Sequence, residues 1–244
     1  SSNQIIDLLQ GRSSPKLRET HLAKSIMEEG FEQSKALFDK KYGGFGNAPK
    51  FPRPVELNFL LRYYQGTKNR DALDMALHTL KQMTKGGIHD HIGGGFHRYS
   101  TDRQWRVPHF EKMLYDQAQL AKAYLEAYQI THEQFYAETA RDILDYVLRV
   151  MTSPEGGFDS AEDAESAIDP TRPEEKEEGA FYVWRRGEIE QVLGKDAAKI
   201  FNFYYGVKQE GNVLTDPHKE FIGENILYIA HTLEETAKEF NQPP

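Results

Sequence analysis

Three times along the chain a helical stretch runs out into the same three residues: Gly43-Gly44-Phe45, Gly94-Gly95-Phe96 and Gly156-Gly157-Phe158. The phenylalanines lie 51 and 62 residues apart, room for two helices and a loop. A helical hairpin of that size cannot bury its own apolar face and has to stack on the next one. An open α-solenoid and a closed α/α toroid both satisfy this. Solenoid loops are usually short, whereas polar loops of about 20 residues suit a toroid whose rim is a binding mouth. The expected fold is therefore all-α, an α/α toroid with its three Gly-Gly-Phe loops on one rim.

The local signals agree. A weak leading helix and a polar linker occupy residues 1–19, and helical hairpins fill 20–244 as a single toroid segment. Helices are expected over about Thr20–Lys40 (weakened by Gly30), Val55–Gln65 behind Pro54, Asn69–Lys85, His109–Ile130 behind Pro108, His132–Met151, Arg186–Leu193, Asp196–Tyr204 and Leu233–Phe240. Phe181-Tyr182-Val183-Trp184 reads as strand-like and packed beneath an acidic loop.

Composition removes several function classes. The chain has 244 residues and no cysteine, which excludes disulfides, thiolate metal sites, a cysteine nucleophile and a redox dithiol. A net charge of −8, without a basic stripe, argues against nucleic acid and anionic membrane as partners. No apolar stretch approaches the ~20 residues that span a bilayer, and no signal-peptide pattern opens the chain, so a cytoplasmic protein is expected. Gly93-Gly94-Gly95 does not follow a strand, so a dinucleotide fingerprint is not indicated. There is no Gly-x-Ser-x-Gly elbow.

The chemistry concentrates between His89 and Asp116, which hold four of the nine histidines and one of the two tryptophans. Three readings apply. In a carbohydrate pocket, Trp105, Tyr99 and Phe96 stack on sugar faces, Arg98 and Arg103 hold oxygens, and His97, His109 or Glu111 moves protons. In a metal site, His89 and His91 ligate together with His97 or His109, although the strong spacing signals are missing. In a structural reading, these groups satisfy helix ends beneath the loop. With Pro108 starting a helix, His109 and Glu111 fall in its first turn, Glu111 shares a face with Tyr115, and Lys112 forms an exposed pair with Asp116. A second cluster places Asp159, Glu162, Asp163 and Glu165 within seven residues, where crowding can raise a carboxyl pKa. Lys50 is a candidate rim contact.

Four blocks together resemble one family. They are Gly44-Phe45-Gly46-Asn47-Ala48-Pro49-Lys50-Phe51-Pro52, the His89–Asp116 run, Gly157-Phe158-Asp159-Ser160-Ala161-Glu162-Asp163-Ala164 and Glu178-Gly179-Ala180-Phe181-Tyr182-Val183-Trp184. In this order they are similar to the spermatogenesis-associated protein 20 family. The resemblance implies a thioredoxin-like domain followed by an (α/α)6 barrel related to six-hairpin glycosidases and N-acylglucosamine 2-epimerases. This chain corresponds to the first part of that barrel. Its implied partners are then the thioredoxin-like domain and the later hairpins of the same polypeptide, a carbohydrate ligand, and other copies of itself. The implied chemistry is sugar epimerisation or glycoside hydrolysis. His97 and His109 suit the first, Glu111 and Asp163 the second. His91, Arg98, Tyr99, Arg103, Trp105, Tyr115, Glu162 and Tyr182 would bind substrate, with no metal or cofactor required. The alternative is a non-catalytic scaffold or binding module serving the redox domain.

Overall fold

The computed structural model describes residues 24–213 and 221–243. The expected leading helix and linker lie outside the described residues. Helix α1 (Lys24–Leu37) is followed by the hairpin α2 (Pro54–Thr67) and α3 (Arg70–Lys85), then by α4 (Leu114–Thr131) and α5 (Gln134–Val150). Among the described residues three shorter helices follow: α6 (Arg186–Leu193), α7 (Lys195–Tyr204) and α8 (Leu233–Phe240). Pro54 opens α2, where its missing N–H costs nothing. The Asn69 side chain caps α3 by accepting the Ala72 N–H.

α2 packs on α4, while α3 and α5 stand behind them as the returning arms of two hairpins, the arrangement of an α/α toroid segment. One apolar core runs through all of them. Leu57, Leu60 and Leu61 of α2 meet Leu73, Ala76 and Leu80 of α3, Leu120 and Tyr124 of α4, and Tyr136 and Ile143 of α5. Gly30, a weak point for α1 by propensity, faces the Phe59 ring of α2, where a methyl group would sit only 3.2 Å away. The buried Tyr124 hydroxyl donates to the Leu80 carbonyl and shares a 2.7 Å bond with Thr84, tying α4 to α3.

The three Gly-Gly-Phe segments fold alike. Each doubles back on the residues that leave the preceding helix: Phe45 bridges to Phe38, Phe96 to His89 and Phe158 to Thr152. All three turns sit at the C-terminal ends of α1, α3 and α5. They are linked in series along one rim. Lys50 pairs with Ser100 between the first and second loops, and Lys112-Met113 pairs with Glu162-Ala161 between the second and third.

Short strands complete the rim: β1 (Tyr99–Ser100), β2 (Pro108–His109), β3 (Lys112–Met113), β4 (Ala161–Glu162), β5 (Glu165–Ala167) and β6 (Lys176–Glu178). They pair as antiparallel β1–β2, β3–β4 and β5–β6. Two expectations are corrected here. The helix expected from His109 begins only at Leu114, because residues 108–113 are held extended by pairing on both sides. The Phe181–Trp184 run is a turn closed on the Gly179 carbonyl, and only Trp184 bridges, to Asn225.

Candidate functional site

The second rim loop is organised by Asp102. Its carboxylate accepts the backbone N–H groups of Gln104, Arg106 and Val107, and Thr101 N–H donates to the Val107 carbonyl at 2.8 Å. This closed loop brings Tyr99 opposite His109 and extends the chain through Met113. Pro108, with no N–H, is compatible with a first helical turn or an edge position; the pairing of its neighbours decides.

In an extended segment successive side chains point to opposite sides. His109 and Glu111 therefore share one face, and Phe110 and Lys112 the other. This period of two replaces the first helical turn expected for these residues, and it divides the candidate groups.

On the outer face, Arg98 Nη1 donates to Glu111 Oε2 at 2.6 Å. His109 Nδ1 is bonded to Glu178 Oε1 at 2.7 Å, while its Nε2 lies 4.0 Å from Glu111 Oε2, so the imidazole stands between two carboxylates. The His109 ring stacks on Tyr99, which in turn packs against Phe51. Asp116, in the first turn of α4, is buried behind this group. Burial pushes its carboxyl up to about 6; the charge of Arg98 opposes the shift and that of Glu111 adds to it. Arg98 is itself held further toward the charged form, chiefly by its hydrogen bond to Glu111. Tyr115 is exposed beside them.

On the inner face, Lys112 is completely buried. It donates to Asp90 Oδ2 at 2.7 Å and to the Gly94 carbonyl at 3.0 Å, and its ammonium lies over the Tyr146 and Tyr182 rings. The expected exposed Lys112–Asp116 pair does not form, because the two residues fall on different elements. His97 is buried with its Nδ1 bonded to the Phe110 carbonyl at 2.9 Å and its ring edge-on to Phe110 and Tyr182. Burial holds the His97 and His91 rings neutral, down to a pKa of about 3. Glu162 accepts the Tyr146 hydroxyl at 2.5 Å; burial, then the Glu162 charge, pushes the Tyr182 phenol up.

Two expected stacking and binding groups lie elsewhere. Trp105 is fully buried, with Nε1–H donating to the Tyr42 carbonyl, so it offers no surface to a ligand. Arg103 binds Asp39 through two hydrogen bonds at the first Gly turn. Lys50, expected at the rim surface, is also fully buried there, 2.8 Å from Asp39 Oδ2. Asp163 is exposed, its Oδ1 accepting the Glu165 N–H. One step beyond the Lys112–Glu162 pair, the strand register sets Asp163 level with Glu111.

His89 and His91 are taken up separately, by Asp142 and by the Gly86 carbonyl. Among the described residues no group of three or more His, Asp and Glu converges as a metal cage. Asp39, Asp90 and Glu178 are not among the expected site residues; the first two stand four residues before the Gly-Gly pair in two of the three repeats.

The profile of the N-acylglucosamine 2-epimerase (GlcNAc 2-epimerase) family matches residues 55–178. The chain is 43% identical to spermatogenesis-associated protein 20 of Homo sapiens over 258 aligned positions, covering 98% of this chain and 33% of that protein. It thus spans about a third of the length of the curated relatives it matches. Among solved structures it is similar to a sugar epimerase from a ruminal bacterium, with a TM-score of 0.51 and 16% identity over 69% of this chain and 47% of that one. It is also similar to cellobiose 2-epimerase from Bacillus thermoamylovorans B4167, with a TM-score of 0.50 and 18% identity over 82% and 59% of the two chains. The profile spans just over half of the chain and includes α2 to α5, the second and third Gly-rich turns and the paired strands between them. The chain belongs to the N-acylglucosamine 2-epimerase family, as an α/α-toroid segment.

Proposed function

We propose that the outer face of the 98–116 segment, with Glu178, is the acid–base wall of a carbohydrate site of the epimerase or glycosidase class. The observation that carries this reading is Asp116, a buried carboxyl brought to about 6 beside the Arg98–Glu111 pair. A group with that value exchanges protons readily near neutral pH, as general acid–base catalysis requires. His109, between Glu178 and Glu111, is the second proton-carrying group. The Tyr99 and Phe51 rings give the apolar platform on which a sugar face rests.

Epimerisation fits this wall in outline. One group removes the proton next to the carbonyl of an open-chain sugar, and a group on the opposite side of the substrate returns it. The wall supplies one side only. His97, assigned by sequence to the same chemistry, lies behind the strand with its ring neutral and does not share this face. Hydrolysis would use Glu111 with Asp163, the two carboxylates that the β3–β4 register sets level.

The test uses the protein with its complete barrel and a panel of aldoses, N-acylated hexosamines and disaccharides in heavy water. NMR detects deuterium entering the carbon beside the carbonyl. Glu111→Gln and Asp116→Asn are each expected to reduce that rate by ~10²–10⁴-fold with smaller changes in binding. Loss of binding without loss of rate, or neither exchange nor bond cleavage with any sugar, would reject the proposal.

A further inference from the structure

Behind the strand, on the side away from the proposed sugar wall, lies a cleft of about 510 Å³. Its floor includes His91, His97 and Phe110, and its walls include Ile92, Phe181 and Trp184. The volume is that of a small-molecule site.

The polar groups in it have a definite sense. A neutral imidazole has one N–H donor and one lone-pair acceptor. His91 Nε2–H donates to the Gly86 carbonyl at 2.9 Å, and His97 Nδ1–H donates to the Phe110 carbonyl at 2.9 Å. In each case the partner is a carbonyl, so the tautomer is fixed: His91 Nδ1 and His97 Nε2 are acceptors. On the same wall His89 has a buried Nδ1 that meets no partner among the described residues. The one buried cation nearby, Lys112, is already taken up by Asp90 and the Gly94 carbonyl. The remaining charged side chains at the cleft are carboxylates, Asp90 and Glu188. Among the described residues an anionic ligand would find no free cation there to offset its desolvation.

We infer that this cleft binds an uncharged aromatic molecule bearing a ring N–H or O–H, its ring between Phe181 and Trp184 and its donor directed to His91 or His97. The aromatic walls select a flat apolar body. The two acceptor nitrogens select a donor at its edge, and the carboxylates among the described lining residues, with no free cation beside them, select against carboxylates and phosphates. The site does not depend on the sugar wall, from which Phe110 separates it.

Indole, 1-methylindole and indole-3-carboxylate make a matched set of probes. The 244-residue chain, labelled with ¹⁵N at histidine, is titrated with each while the ring nitrogens are followed by NMR. Indole is expected to move the acceptor nitrogens of His91 or His97 at submillimolar concentration. 1-Methylindole should bind about tenfold more weakly, the factor expected when one hydrogen bond is lost, and indole-3-carboxylate, which keeps its N–H but brings a charge the cleft does not offset, should also bind more weakly. Ile92→Arg, at an exposed position on the mouth, should abolish binding without unfolding the chain, and His91→Phe or His97→Phe, whichever ring shows the shifted acceptor nitrogen, should weaken indole to the level of 1-methylindole. Equal binding of indole and 1-methylindole, binding unchanged by Ile92→Arg, or no binding of indole at millimolar concentration would overturn the inference.

Discussion

Asp116 is a destabilising residue that the fold retains. Its carboxyl titrates near 4 in the unfolded chain and at about 6 in the folded one. Between those values the native state holds more protons, so this group's contribution to stability falls as pH rises through the window and the penalty is complete above about 6. Two pKa units correspond to about 3 kcal/mol as an upper figure. Asp116→Asn should therefore raise the unfolding free energy at pH 8 by about 1–3 kcal/mol, with the gain vanishing below pH 4. Urea unfolding of both proteins at the two pH values checks this. A carboxyl with only a structural role would give the opposite sign.

The buried His97 and half-buried His91 imidazoles act the other way. His91 and His97, near 6.5 when unfolded and about 3 when folded, leave the unfolded chain holding more protons in that interval. Stability is then full above pH 6.5 and is lost as pH falls toward 3, by up to about 4–5 kcal/mol for each ring. Two histidines outweigh one aspartate, so net acid destabilisation is expected, with most of the loss below pH 6. His91→Phe should flatten the stability–pH curve measured by circular dichroism. The histidine-rich run was recognisable in the sequence. Which face each ring occupies was not, because that depends on whether 108–113 is helical or extended, and the deciding hydrogen bonds come from Asp102 and from strand β4, up to 50 residues away from the residues they hold.

At the scale of elements, the repeat is a device with interchangeable parts. In the first turn Lys50 bonds Asp39 and the Gly43 carbonyl; in the second Lys112 bonds Asp90 and the Gly94 carbonyl. The aspartate stands four residues before the first glycine both times, and its other oxygen accepts two loop N–H groups. Each second glycine has positive φ and lies against an aromatic ring, Trp105 for Gly44 and Tyr146 for Gly95, where a methyl carbon would come within 2.5 Å. The same ring carries the lysine ammonium. This explains why Trp105 is core. The third turn has Ser153 near the aspartate position, and open space around both glycines.

The periodicity of Gly-Gly-Phe was legible in the sequence. The lysine of each clamp was not, because it lies 5 residues beyond Phe45 in one case and 16 beyond Phe96 in the other, a spacing no local pattern fixes. Removing one partner of a buried pair leaves the other uncompensated, so Lys50→Met and Lys112→Met should each cost about 3–5 kcal/mol. Lys112→Met combined with Asp90→Asn should recover part of that loss. Chemical denaturation of these variants, Asp90→Asn alone and the parent provides the comparison; additive losses in the double variant would show that the two residues do not act as a pair.

At the scale of the whole molecule, α5 is apolar on two sides. Tyr136, Ala140, Ile143 and Tyr146 face the core, whereas Leu144 and Leu148, one turn apart, are 52% and 65% exposed, with Val150 beyond them. On α4, Leu125 is also exposed. A surface helix usually has one apolar stripe and a polar back; a second stripe on the same helix is a face prepared for a neighbour. In a ring of stacked hairpins that neighbour is another hairpin, and in its absence a second copy of α5 is the nearest substitute. The 244-residue chain alone is therefore expected to self-associate at tens of micromolar, as seen by sedimentation velocity across a concentration series. Leu144→Lys with Leu148→Lys should restore a monomer and leave the melting temperature within a few degrees, since neither side chain contributes to the core. A monomer at every concentration in the parent chain would mean that α5 needs no cover. Self-association that survives both lysines would place the contact on another face, with the exposed Ile222 and Phe181 as the next residues to substitute.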